Sequence, residues 1–224
     1  MRKIIIICTI IVTLAVPIFI VSFAQNISVR TEEVYSFYFN DTRVVNKLHT
    51  SYSSNEVARM VANYLNSFSN ESFQIWEDNG YDLEAVFTEE ESHNMGQLKK
   101  ALAYSSLTCV VSLAVICGIY LFFFLSERKI LIRRTYLISI PFTIAGIVFG
   151  AITALNQDWQ YRMAENLNFI ELGEESLLGV VFGSDLMVMV GKLFLAVSII
   201  LFAACSFVAY KLSKDDKVFS QRRR

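Results

Sequence analysis

Long apolar runs dominate the pattern of hydrophobic and polar positions along this chain. Four runs are long enough, or nearly so, to cross a membrane: residues 4–24, 101–125, 135–155 and 193–210. A helix needs about 20 apolar residues to cross a hydrocarbon core of about 30 Å. The last run is short, but residues 186–190 extend it across Lys192. The pattern therefore predicts an all-α membrane protein with four transmembrane helices.

The runs and the polar segments between them divide the chain into eight predicted parts. These are transmembrane helix 1 (1–24), a first loop domain (25–100), transmembrane helix 2 (101–125), a basic loop (126–134), transmembrane helix 3 (135–155), a second, partly interfacial loop (156–190), transmembrane helix 4 (191–210) and a basic tail (211–224). The first run also resembles a signal peptide, with a basic head and the small-x-small pattern of residues 22–24. Its length favours an uncleaved helix.

The first loop domain is long enough to fold as a small α+β cap. Residues 53–69 are predicted to form its main helix, because apolar side chains recur there at helical spacing. They are Val57, Met60, Val61, Tyr64, Leu65 and Phe68. Ser53 and Glu56 match a capping box at the start of that helix.

The rest of the first loop domain gives weaker signals. Residues 34–39 are aromatic and fit either a strand or a helix, and residues 41–48 suggest a short helix. Residues 72–76 and 81–87 are predicted to be two strands of a hairpin, since Asn79-Gly80 lies between them.

Charge sets the expected orientation in the membrane. The chain is 54% hydrophobic with mean hydropathy +0.44, too apolar for an ordinary soluble domain. Residues 25–100 carry twelve acidic and six basic side chains, and residues 157–186 carry six and one. Residues 126–134 carry four basic side chains, and residues 211–224 carry six. The positive-inside rule then predicts a cell-membrane protein with both termini cytoplasmic and the two acidic loops outside.

The composition argues against several kinds of chemistry. All four cysteines lie in the apolar runs, so neither a disulfide framework nor a zinc site is expected. No phosphate-binding loop, Ser-His-Asp signature or nucleic-acid footprint is present. We therefore expect no metal and no nucleic-acid partner.

Residues 87–102 (FTEEESHNMGQLKKAL) lead directly into the second apolar run. Thr88 and Glu91 match a second capping box, and the acidic residues 89–91 suit the positive end of a helix dipole. Lys99 and Lys100 are expected at the level of the lipid headgroups.

His93 is the residue in this stretch that a helix start does not explain. His93, Gln97, Lys100 and Tyr104 are spaced 4, 3 and 4, so they share one helical face. One interpretation is a solvated histidine on an ordinary helix. The other is a general acid or base at the membrane surface, because a histidine exchanges protons near neutral pH.

The order of these features resembles that of the bacterial lipoprotein intramolecular transacylases, which are small membrane proteins with four spans. The resemblance is strongest over residues 39–102, and above all at residues 86–93 (VFTEEESH), where the family has a similar phenylalanine, acidic pair and histidine. The family motif continues with methionine and, two places later, aspartate. Here the corresponding residues 94–96 are Asn-Met-Gly.

The second loop resembles the family at two positions, Phe169 and Asp185. On this alignment a second family histidine corresponds to Ile170, which cannot transfer a proton. The family tryptophan falls near residues 177–178, which are leucines.

The resemblance implies an acyl transfer at the outer face of the cytoplasmic membrane. An acyl chain would move from the glyceryl group of a lipidated N-terminal cysteine to the amino group of that cysteine, giving a lyso-form lipoprotein. Membrane phospholipid and diacylglyceryl-modified lipoproteins are the implied partners, and no cofactor is needed. His93 would be the base, Lys100 and Tyr104 candidate hydrogen-bond donors by helical spacing, and Asp185 a residue that orients a partner.

Two alternatives stay open at this point. One alternative to an active enzyme is an inactive relative that binds lipid or a partner membrane protein, and the other is an unrelated four-span scaffold. In an active enzyme, Glu171, Glu174 or Glu175 is a candidate replacement for the missing histidine as a proton carrier.

Overall fold

Helices form most of the protein in this computed structural model, which describes residues 2–48, 50–69, 71–78, 80, 82–171 and 176–213. In chain order the elements are α1 (Arg2–Arg30), α2 (Glu32–Thr42), a 3-10 turn (Val44–Lys47), α3 (Ser54–Asn66), β1 (Trp76–Asp78), β2 (Leu83–Ala85), α4 (Glu89–Leu125), α5 (Ile130–Leu155), α6 (Gln157–Asn166), α7 (Leu177–Val181) and α8 (Ser184–Leu212).

Within the described residues, four helices are long and apolar enough to cross a membrane, namely α1, α4, α5 and α8. This confirms the four predicted spans and a multi-pass membrane protein. Helix α4 has 37 residues, about 55 Å at 1.5 Å per residue, which exceeds a hydrocarbon core of about 30 Å. Its apolar part begins at Ala101, so its first three turns extend beyond the hydrocarbon.

The contacts divide the chain into two compact units. In its described part, one unit comprises residues 2–24, 106–149 and 196–213. Its buried side chains are mostly aliphatic and aromatic, and many large apolar side chains point outward, as expected in lipid.

The Tyr136 hydroxyl joins α5 to α8, because it lies 2.8 Å from Ser206 Oγ and donates to a carbonyl of α8 at 3.0 Å. Interhelical hydrogen bonds of this kind stabilise helix pairs in lipid.

The second unit comprises residues 25–105 and 150–195. Helices α2 and α3 pack against each other and supply much of its core. The buried positions of α3 are Val57, Ala58, Val61, Ala62 and Leu65, and the predicted capping box of Ser53 and Glu56 is present. The predicted helix and its apolar face are therefore confirmed.

The aromatic segment that allowed two interpretations is helical. In α2 the buried residues are Val34, Tyr35, Tyr38 and Phe39, a spacing that puts them on one side of a helix. The predicted short helix at residues 41–48 is wrong in its bounds, since α2 runs to Thr42 and a 3-10 turn follows. Arg43 separates them in the left-handed conformation, with φ of 52°.

The hairpin is confirmed, although its strands are shorter than predicted. Strands β1 and β2 pair antiparallel, with Trp76 opposite Ala85 and Asp78 opposite Leu83. Gly80 has φ of 78°, which glycine adopts readily, and its amide donates to Asp78 Oδ1 at 2.8 Å. Residues 72–75 are not a strand, although the Ile75 carbonyl still accepts a hydrogen bond from the Val86 amide at 2.9 Å. Phe73 and Ile75 are buried in the core.

Candidate functional site

Helix α4 begins with the predicted capping box. The Thr88 amide donates to Glu91 Oε2 at 2.9 Å, and the Glu91 amide donates to Thr88 Oγ1 at 3.2 Å. Glu89 and Glu90 are exposed, whereas the Glu91 side chain is only 3% exposed. A capping residue is normally near solvent, so the burial of Glu91 indicates a further partner.

The second partner of Glu91 is the second loop. Glu91 Oε1 accepts hydrogen bonds from Ser176 Oγ at 2.7 Å and from the Leu178 amide at 2.9 Å. Burial raises the pKa of the Glu91 carboxyl, but the hydrogen bonds from Leu178, Ser176 and Thr88 lower it by more, so the net pKa lies below the usual value. Glu91 therefore ties the start of α7 to the first turn of α4 as a carboxylate.

Asn94 makes a second tie to the same loop. Its Nδ2 donates to the Ile170 carbonyl at 2.8 Å, and its Oδ1 accepts from the Ile170 amide at 2.7 Å. The side chain of Asn94 is buried, and Ile170 satisfies both of its polar groups. His93 lies between these two anchors in the sequence, and its backbone is fixed by both.

The His93 ring itself is exposed and faces a side chain of its own helix. Its Nε2 lies 3.2 Å from Gln97 Nε2, one turn further along α4. The amide nitrogen of Gln97 can only donate, so this contact is a hydrogen bond in the tautomer that has its proton on Nδ1. In that tautomer Nε2 is the basic nitrogen.

His93 lines a cavity of about 790 Å³ within the second unit. The cavity combines an aromatic and apolar wall with polar side chains, as binding sites for amphiphilic molecules do. Its lining residues are Tyr64, Glu71, Ser72, Gln74, Trp76, Ala85, Phe87, Thr88, Glu89, Ser92, His93, Gly96, Gln97 and Lys100. Gln74 fixes one wall, because its side chain donates to the Phe87 carbonyl at 2.6 Å and accepts from the Phe87 amide at 3.0 Å.

Tyr64 of α3 lies beside Gly96 of α4, and both line this cavity. A Cβ placed on Gly96 would be in van der Waals contact with Tyr64 Oη, at 3.9 Å, and within 4 Å of no other side chain. The ring of Tyr64 packs against Phe73 with centroids 5.0 Å apart. The ammonium group of Lys99 lies 4.2 Å from the ring centroid and also donates to Ser67 Oγ at 2.8 Å. These contacts hold the hydroxyl of Tyr64 beside Gly96, a position of α4 that has no side chain.

The four residues predicted for the site fall in three places. His93 and Lys100 both line the cavity. Tyr104 is 71% exposed and does not line it. Asp185 is exposed at the start of α8, lies near Tyr38 and is not among the described residues that line the cavity. Burial raises the pKa of the Tyr38 phenol, and the Asp185 carboxylate raises it further.

Of the three glutamates predicted as candidate replacement proton carriers, Glu171 lies within the described residues. Glu171 is exposed, next to the anchored Ile170. Glu174 and Glu175 lie outside the described residues, as does His49.

Sequence reasoning missed three residues around His93. Tyr64 was assigned to the apolar face of α3, Glu91 to a helix cap, and Asn94 to a departure from the family motif. An asparagine within a run of helix-forming residues is a weak signal of a hydrogen-bonded anchor. Neither Tyr64 nor Glu91 carries a local signal for its second contact.

The comparisons with known proteins identify the fold. No protein-family model matches the sequence, and no curated protein is significantly similar to it. The structure is similar to that of the membrane integral lipoprotein intramolecular transacylase Lit from Bacillus cereus. The TM-score is 0.71 at 10% identity, covering 100% of both chains. Two variants of Lit with a substituted histidine are also similar. The variant with alanine has a TM-score of 0.71 at 12% identity, covering 100% of this chain and 97% of that chain. The variant with arginine has a TM-score of 0.65 at 11% identity, covering 94% of each chain. The chain therefore has the Lit fold.

Proposed function

We propose that this chain is a membrane-bound acyltransferase that acts within one lipidated protein. It would move an acyl chain from the glyceryl group of an N-terminal cysteine to the amino group of the same cysteine. The observation that carries the proposal is the position of His93, which lines a cavity at the start of a helix long and apolar enough to cross the membrane. The fold shared with Lit supports it.

The substrate would be a diacylglyceryl-modified lipoprotein in a phospholipid bilayer. The aromatic wall of the cavity suits the upper part of an acyl chain, and the polar residues suit the glyceryl ester and the amine. The charge distribution supports an orientation with the cavity outside the cell and both termini in the cytoplasm.

The chemistry requires one base and no cofactor. The substrate amine replaces the Gln97 amide at His93 Nε2, which takes a proton as the nitrogen attacks the ester carbonyl carbon. A C–N bond forms, and the tetrahedral intermediate collapses with cleavage of the C–O bond to glycerol. The protonated imidazole returns its proton to the glyceryl oxygen. An ester and an amine become an amide and a hydroxyl, so atoms and charge balance. Donor and acceptor belong to one molecule, which makes the attack effectively unimolecular.

The other predicted residues take roles that variants can test. Lys100 lines the cavity, and its positive charge would favour the developing oxyanion. Tyr104 and Asp185 keep only the roles that spacing and resemblance suggested, a donor and an orienting carboxylate. Tyr104→Phe and Asp185→Asn are the variants that test them.

The deciding experiment is expression in a bacterium that makes diacylglyceryl lipoproteins but no lyso form. Mass spectrometry of the N-terminal lipopeptide is expected to show lyso-form product with the natural chain and none with His93→Ala. His49→Ala is the matched control, since the chain has only two histidines. It is expected to keep the activity.

The alternative is a relative that binds lipid or a membrane protein in the same cavity without chemistry. Ile170 favours it, because the resemblance puts a second histidine at that position and here the backbone of Ile170 is bound to Asn94. Membrane-inserted protein that yields no lyso form would support this alternative and refute the enzyme.

A further inference from the structure

The ring of Tyr64 is fixed by two neighbouring side chains, whereas its hydroxyl group has no partner among the residues that the structure describes. Its ring contacts Phe73 and the ammonium of Lys99. Among the described residues none hydrogen-bonds the hydroxyl, although it lies at the wall of the cavity. A buried or half-buried phenol usually finds a partner for its O–H, so this donor is available to a bound molecule.

Gly96 leaves room beside this hydroxyl for one small group of a bound molecule. A Cβ built on Gly96 would lie 3.9 Å from Tyr64 Oη, in ordinary van der Waals contact, so the missing side chain leaves a space of about one methyl group there. Gly96 follows His93 by three residues on α4, and both line the cavity. Side chains three and four positions apart share a helical face, so a group beside Gly96 is within one turn of the base.

We infer that Tyr64 is a further catalytic residue, whose hydroxyl donates a hydrogen bond to the ester carbonyl oxygen as it becomes an oxyanion beside Gly96. The inference rests on the proposed function and adds no covalent step. The phenol keeps its proton throughout, and the C–N and C–O bonds change as described for His93. A positioned donor of this kind stabilises the tetrahedral intermediate more than the ester.

The surroundings of Tyr64 favour donation. Burial raises the pKa of the Tyr64 phenol, so the hydroxyl keeps its proton at neutral pH. The Lys99 cation over the ring withdraws electron density from it, which strengthens the O–H as a donor. Lys99 is itself bound to Ser67 Oγ and to the Ser69 carbonyl at 2.7 Å, so it does not compete for the substrate oxygen.

Tyr64→Phe tests this assignment with little risk to the fold, because the ring contacts stay and no protein hydrogen bond is lost. The full chain, purified in detergent, is mixed with a synthetic diacylglyceryl-cysteine lipopeptide, and the lyso form is measured by mass spectrometry. Tyr64→Phe is expected to lower kcat about 100-fold and to leave KM unchanged. Tyr210→Phe is the control expected to keep full activity. Tyr104→Phe tests the competing donor that spacing suggested.

The outcomes separate the two proposals. If the natural chain makes no lyso form, the proposed function fails and the role of Tyr64 fails with it. If the natural chain is active and Tyr64→Phe is equally active, the role of Tyr64 alone is refuted. Loss of activity in Tyr104→Phe but not in Tyr64→Phe also refutes it, and assigns the donor to Tyr104.

Discussion

Replacing Glu91 by glutamine removes one charge from the tie between α4 and the second loop. The two carboxylate oxygens accept from the Thr88 amide at 2.9 Å, from Ser176 Oγ at 2.7 Å and from the Leu178 amide at 2.9 Å. A carboxamide has one acceptor oxygen and one NH₂ group. Whichever way it turns, its NH₂ group faces at least one of these donors.

The cost follows from the number of donors. One buried donor left without an acceptor costs about 1–3 kcal/mol, and each remaining bond loses its charge assistance, about 1 kcal/mol. We expect Glu91→Gln to lower the free energy of unfolding by about 3–5 kcal/mol. For a chain of this size that corresponds to a fall in Tm of about 6–20 °C.

The assay is thermal unfolding of the purified protein followed by the fluorescence of its two tryptophans. Glu90→Gln is the matched control, since Glu90 lies in the same first turn of α4 but is exposed. It removes the same charge from the helix N-terminus, at a cost of about 0.3–1 kcal/mol. Equal shifts in Tm for Glu91→Gln and Glu90→Gln would refute the tie.

The same tie predicts a pH dependence. The pKa of Glu91 is lower in the folded protein than its usual value of 4.5. Its contribution to stability is therefore complete above about pH 4.5 and is lost as the pH falls through the folded pKa. The difference in Tm between the natural chain and Glu91→Gln should shrink below about pH 4.5. A difference that grows on acidification would contradict a carboxylate at this position.

Three further predictions concern Asn94, Gly96 and the orientation of the chain. Asn94→Asp is expected to speed hydrogen exchange of the Ile170 amide region, because a carboxylate cannot donate to the Ile170 carbonyl; unchanged exchange would contradict the anchor. Gly96→Ala is expected to raise stability by up to about 1 kcal/mol and to lower acyl transfer by filling the space beside Tyr64. Both effects are read on one sample, by thermal unfolding and by product formation. After replacement of the four native cysteines, Phe68→Cys is expected to react in intact cells with a membrane-impermeant maleimide, whereas a cysteine introduced within residues 126–134 is not. The reverse labelling pattern would refute the predicted topology, because it would put the loop at residues 126–134 outside the cell.

Sequence alone determined the features that depend on neighbours along the chain. The four spans follow from runs of apolar residues, because a helix in lipid satisfies its own backbone and needs no distant partner. The capping boxes at Ser53 and Thr88 follow from side chains three residues apart. The sequence also predicts His93 as a candidate catalytic residue, from a short motif and from the helical face that it shares with Gln97 and Lys100.

Tertiary structure decided everything that joins distant segments. Glu91 meets Leu178 across 87 positions, and Asn94 meets Ile170 across 76. Asp185 lies near Tyr38 on a helix far back in the sequence. Such pairs leave no periodic pattern in the sequence, because they form only when whole helices and loops pack together. A residue whose local role is already evident gives no sign in the sequence of a second contact. Tyr64 illustrates this: its spacing assigns it to the apolar face of α3, and only the packing of α3 beside α4 brings its hydroxyl opposite Gly96.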